Sequence, residues 1–131
     1  VKLLKEINKQ AAKHERTIKC LLQFHIAQEE TKYGFNLEEV REILQSAEFR
    51  ELKNVNITGV MGMATFTSDQ RQVREEFGML KNIFDALKSE FFSENESFRE
   101  ISMGMSGDYE IAISEGATMV RVGSSIFGAR S

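Results

Sequence analysis

Ser106-Gly107-Asp108 follows an apolar run and opens a helical pattern. A hydroxyl, a glycine and the free amides at a helix start, helped by the helix dipole, together form a site for an anion. A little further on comes Val120-Arg121-Val122-Gly123-Ser124-Ser125, an arginine in an apolar strand followed by a Gly-Ser-Ser turn. Taken singly, Ser106 reads equally as a helix cap and Arg121 as a satisfied charge in a barrel core. In tandem, at the last two strand ends of the chain, they favour a phosphorylated ligand, because the loops after the last two strands of a (β/α)8 barrel commonly bind phosphate.

Other candidates carry less. Met61, Met63 and Met79 read as apolar core filler, although Met61-Gly62-Met63 and Met103-Gly104-Met105 repeat one pattern at two strand ends. His25 lies on an apolar strand, where a histidine is more often a hydrogen-bonded core residue than a ligand contact. Glu29-Glu30 reads as a solvated loop pair. Cys20 has no base beside it and reads as an inert, buried thiol. Catalytic residues and metal ligands are not expected.

These residues must be positioned by alternating helices and strands. Leu3, Leu4, Ile7, Ala11 and Ala12 have helical spacing over 1–14. Residues 17–27 form an apolar run that predicts a buried strand. Asn36 with Glu39 predicts a capped helix whose stripe is Val40, Ile43, Leu44 and Ala47. A strand over 55–65 precedes a longer helix, capped by Ser68 or Asp69, with stripe Val73, Phe77, Leu80, Phe84, Leu87 and Phe91. Strands over 100–105 and 118–123 flank a short helix at 108–115. Strand alternating with helix implies an α/β fold with a parallel sheet of about four strands. That order resembles the C-terminal half of a (β/α)8 TIM barrel, a fold needing ~200 residues or more, so residues 1–131 read as one partial barrel domain, a fragment.

Composition narrows the function. The 131 residues hold 17 Lys+Arg against 20 Asp+Glu, a formal charge of −3, with a pI near 5.5. This argues against a nucleic-acid binder. A single cysteine and the lack of an apolar run of membrane-spanning length predict a soluble cytoplasmic protein without membrane contact.

The segments Ser102-Met103-Gly104-Met105-Ser106-Gly107-Asp108, Gly116-Ala117-Thr118-Met119-Val120-Arg121-Val122-Gly123 and Ile126-Phe127-Gly128-Ala129-Arg130 closely resemble the pyridoxal-phosphate homeostasis proteins (YggS or PROSC type). Leu21-Leu22-Gln23, Glu30-Thr31-Lys32-Tyr33-Gly34 and Gly59-Val60-Met61 extend the resemblance over essentially the whole chain. It implies a barrel similar to the N-terminal domain of alanine racemase. It also implies a pyridoxal 5′-phosphate cofactor and a role in vitamin B6 and amino-acid homeostasis, without established catalysis.

Position by position, the resemblance implies that Ser106 holds the cofactor phosphate and that Gly123 and Ser124 form a second phosphate-binding turn. Arg121 would face the pyridine nitrogen and, being permanently cationic, keep it unprotonated. Met103 would line the site. The family's covalent lysine lies on a first barrel strand with no counterpart here; Lys19 and Lys32 do not substitute for it. Rival readings are a piece of a pyridoxal-phosphate-dependent amino-acid racemase or of another phosphate-binding barrel enzyme. Open edges near Leu21 and Val120, with an interior face of Leu22, Met61, Met103 and Val122, predict a homodimer of half-barrels or pairing with a missing N-terminal half.

Overall fold

The computed structural model describes residues 2–27 and 34–121. The first amphipathic stretch folds as α1 (Lys2–Lys13), which packs on β1 (Ile18–Gln23) and β2 (Val55–Met61). Asn8 Oδ1 accepts from Asn54 N at 2.6 Å, tying α1 to the start of β2. Between the two strands lie α2 (Leu37–Gln45) and the single-turn α3 (Ala47–Arg50). The expected capping box forms: Asn36 Oδ1 accepts from Glu39 N at 2.9 Å, and Glu39 Oε1 accepts from Asn36 N at 3.0 Å. Ser46 ends α2 in extended backbone and its hydroxyl caps α3 by accepting from Phe49 N. The stripe therefore stops at Leu44, and Ala47 is exposed rather than part of it.

Asp69 caps α4 (Gln70–Glu90), accepting from Arg71 N and Gln72 N. Val73, Phe77, Leu80 and Leu87 are its buried stripe, each contributing ~1.5–3 kcal/mol of apolar burial. Met79 falls off that stripe and is 48% exposed, so it is not core. The chain then turns through stacked rings, Phe98 lying 4.1 Å from Phe92 and 5.0 Å from Phe84, into β3 (Glu100–Ser102) and α5 (Tyr109–Ser114).

The described strands form one parallel sheet in the order β1-β2-β3, the helices supplying the crossovers that parallel pairing requires. Leu22 pairs with Val60 and Val60 with Ile101, and all three are buried in the core that the helices cover. Leu22 and Met103 therefore belong to the helix-facing core, not to an interior barrel face. Met61, next along β2, is on the opposite side by the alternation of strand side chains. Gly59 is required where β2 meets β3: a Cβ there would lie 1.9 Å from the Glu100 carbonyl oxygen.

Among the described residues three strands are found where four are expected. Residues 118–121 run parallel to β3 but are joined by a single bridge, Ser102 with Met119. Its hydrogen bonds are Thr118 N and Met119 N to Ile101 O, Met103 N to Met119 O, and Arg121 N to Gly104 O. Thr118 substitutes a side chain for a ladder bond, its Oγ1 accepting from Ile101 N at 2.7 Å. Val122, like the rest of 122–131, lies outside the described residues.

Candidate functional site

A cleft of about 440 Å³ opens past the C-terminal ends of β2 and β3. One side is the loop 63–67 after β2, the other the turn 105–108 after β3, with Val73 of α4 and Arg121 completing it. Parallel sheets place ligands at this end, outside the carboxyl ends of the strands.

The turn is shaped by local bonds. Gly104 sits at φ +102°, and a Cβ there would lie 2.6 Å from that of Ala112, so only glycine turns the chain this closely over α5. Asp108 Oδ1 accepts from Met105 N at 2.7 Å, while Asp108 N donates to Met105 O at 3.1 Å. The carboxylate is thus turned back into the loop and makes no cap on α5. Ser106 and Gly107 form the crest of this turn. Gly107 is exposed, and open space surrounds the position where a Cβ would stand, so a ligand has room to approach its backbone.

Arg121 reaches the same cleft because its backbone N–H bonds to Gly104 O at 2.9 Å. Ser106 and Arg121, far apart in sequence, therefore line one cleft. Arg121 is exposed at the mouth of this cleft. A hydroxyl, an approachable glycine backbone and a guanidinium suit a phosphate ester or another anionic ligand. No lysine lines this cleft among the described residues.

Other candidates fall elsewhere. Met103 is 2% exposed, packed in the core below the turn; Met105 and Met63 line the cleft instead. Met63 is thus a cleft residue rather than core filler. Gly123 and Ser124 lie outside the described residues, as do Lys32, Glu29 and Glu30. Lys19 is exposed near the start of β1, away from this cleft. His25 N donates to Phe35 O, and its partly buried side chain shares the alternation of Leu21 and Gln23, opposite Leu22, Phe24 and Ile26. Cys20 packs against the core and burial pushes its thiol up, which suppresses thiolate reactivity.

Sequence reasoning missed the wall formed by 63–67. Its anchor is Glu76, 3% exposed in the apolar stripe of α4. Glu76 Oε1 accepts from Thr65 N at 2.6 Å, and Oε2 accepts from Thr65 Oγ1 at 2.7 Å and from Gln72 Nε2 at 3.2 Å. The signal was present: Glu76 stands three residues after Val73 and immediately before Phe77, a charge at a stripe position.

The profile of the family described as alanine racemase, N-terminal domain, matches residues 1–131. The pyridoxal phosphate homeostasis protein of Aquifex aeolicus is 37% identical over 128 residues, 98% of this chain and 54% of that protein. Two structures of PipY from Synechococcus elongatus PCC7942 are similar over 96% of the chain. The form without pyridoxal phosphate has a TM-score of 0.84 at 28% identity and is covered over 57% of its length. The form with pyridoxal phosphate bound has a TM-score of 0.81 at 27% identity, covered over 56%. The chain spans about half the length of the relatives it matches.

Proposed function

The chain belongs to the family of the alanine racemase N-terminal domain, and from that premise we propose that its cleft holds pyridoxal 5′-phosphate. The role that follows is in pyridoxal-phosphate and amino-acid homeostasis, carried by a cytoplasmic (β/α)8 barrel of which residues 1–131 form the C-terminal half. One observation carries this reading: Ser106-Gly107 and Arg121, from separate strand ends, line the same cleft. The homeostasis proteins that it resembles and the pyridoxal phosphate bound in PipY support it.

The Ser106 hydroxyl and the Gly107 backbone take the phosphate, with Gly123 and Ser124 as a second phosphate-binding turn. Arg121 faces the pyridine nitrogen; it can donate but not accept a proton, so it holds that nitrogen unprotonated. Pyridoxal phosphate, when bound, supplies an aldehyde that condenses with amines and a ring that withdraws electrons. An unprotonated ring nitrogen weakens that withdrawal, which suits holding the cofactor more than carbanion chemistry. Met105 and Met63 give the ring an apolar border, and the Asp108–Met105 bonds keep the phosphate turn in shape before the ligand arrives.

The test is titration of the chain with pyridoxal phosphate, followed by borohydride and intact-mass measurement. The expected result is saturable binding, weakened about tenfold in Ser106→Ala by loss of one charge-assisted bond, and no stoichiometric reduced adduct. Binding unaffected by both Ser106→Ala and Arg121→Gln would sink the reading. A single modified lysine would overturn its non-covalent part.

A further inference from the structure

We propose that Glu76 is a positioning residue for this cleft: its buried carboxylate clamps Thr65, so that loop 63–67 is held as a fixed wall. A carboxylate taken out of water costs free energy unless its oxygens are satisfied. Glu76 has no cation paired with it among the described residues. Both its oxygens are spent on the loop and on Gln72 of its own helix. A leucine at this stripe position would bury at no such cost, so core packing alone does not account for an acid here.

What the acid does is local. It accepts from both the backbone and the side chain of Thr65, midway along the loop. Two residues on, Thr67 Oγ1 accepts from Asp69 N, and Asp69 caps α4. Thr65 is therefore tied to α4 and Thr67 to the residue that caps it, and Phe66, 96% exposed, lies between them at the cleft. Residues 63–67 are half-buried or exposed, and a segment with few buried side chains is the kind that opens locally.

The clamp stands on these contacts alone; its consequence for pyridoxal phosphate rests on the reading above. Chymotrypsin provides the test, because it cuts after phenylalanine and the intact chain offers Phe66 in the loop, Phe49 in α3 and Phe91 at the end of α4. Glu76→Ala is expected to speed cleavage after Phe66 about tenfold, the loss of one to two net hydrogen bonds, with cleavage after Phe49 and Phe91 unchanged. Glu76→Gln is expected to restore most of the protection. Its amide oxygen still accepts from Thr65 N, and its NH2 donates to the Thr65 hydroxyl once that hydroxyl turns. Should Glu76→Ala not fold, Thr65→Val gives the same comparison, with an expected rise of about threefold at Phe66.

The same variants are titrated with pyridoxal phosphate, where Glu76→Ala is expected to bind about tenfold more weakly than Glu76→Gln. Equal acceleration at all three phenylalanines, or none at Phe66, overturns the proposal. Wild-type chain that binds no pyridoxal phosphate overturns the ligand reading instead, and the cleavage pattern then decides the clamp by itself.

Discussion

Asp108 and Met105 bind each other twice: the Asp108 carboxylate accepts from Met105 N at 2.7 Å, and Asp108 N donates to Met105 O at 3.1 Å. The reciprocal pair closes a turn with Ser106 and Gly107 at its crest. An aspartate before a helix usually accepts from the first amides of that helix. Here the side chain is engaged in the loop, so the start of α5 receives no side-chain cap.

The first prediction tests that division of labour. Asp108→Asn keeps an oxygen that accepts from Met105 N and is expected to match the wild type in stability. Asp108→Ala removes it and is expected to cost ~1 kcal/mol by urea denaturation and to weaken pyridoxal phosphate binding. Equal binding by the two variants would detach the turn from the ligand.

Arg121→Glu reports on the pyridine nitrogen. The side chain is exposed, so the substitution is expected to change stability by no more than ~0.5 kcal/mol. A carboxylate beside the ring favours a protonated nitrogen, and the absorption of bound pyridoxal phosphate is expected to shift. An unchanged spectrum in folded protein removes Arg121 from the site.

Much of this architecture was legible because it rests on local rules. The Asn36–Glu39 box, the Asp69 cap and the α4 stripe are written in residues three or four positions apart. Ser106 and Arg121 could be joined only by assuming parallel strand order, and the Gly104–Arg121 bond gives that assumption its physical form. What was not legible depends on pairing across the chain. The segment 118–121 beside β3 is held by Thr118 Oγ1 as well as by backbone, which no periodicity displays. The faces assigned to Leu22 and Met103 were reversed for a related reason: in a buried strand both faces are apolar, so alternation says little about which one meets the helices.

Gly59 gives a stability prediction of a different kind. The close approach of β2 to β3 leaves a Cβ 1.9 Å from the Glu100 carbonyl oxygen, and that neighbour is backbone, which cannot turn aside. Gly59→Ala is expected to cost ~3 kcal/mol or more, read as a lower thermal midpoint. It should also weaken ligand binding indirectly, because β3 carries the 105–108 turn. Wild-type stability in Gly59→Ala would mean that the two strands do not pair this closely.

The pH dependence follows from two exposed ties between helices. Hydrogen bonds from Arg41 of α2 hold the Glu90 carboxyl below the usual carboxylate range, and Lys5 of α1 does the same for Glu48 of α3. A carboxyl lowered on folding stabilises above its unfolded value, and that contribution is lost as pH falls through the lowered one. The stability gap between wild type and Arg41→Gln is therefore expected to close as the solution is acidified through the carboxylate range. It should also close in ~1 M salt, since both partners are solvent-exposed. A gap that persists in acid would assign Arg41 a packing role.

The last prediction concerns association. Phe24 N bonds across to Met61 O of β2, whereas Gln23 O and His25 N bond to Phe35 on the other side. By that alternation Lys19 and Leu21 turn their backbone groups to the outer edge of β1, where no strand pairs with them among the described residues. An edge of this kind recruits another strand, and Leu21 and Met61 sit on the sheet face that the helices leave uncovered. Two copies can satisfy both needs about a two-fold axis, each half supplying the edge that the other lacks. The chain by itself is expected to be at least a dimer, with light scattering that falls on dilution. Lys19→Pro removes an outward-facing N–H without touching a bond to β2, and is expected to shift the equilibrium toward monomer. A cooperatively unfolding monomer at micromolar concentration would show that the sheet protects its own edge, and the two-fold pairing would have to be abandoned.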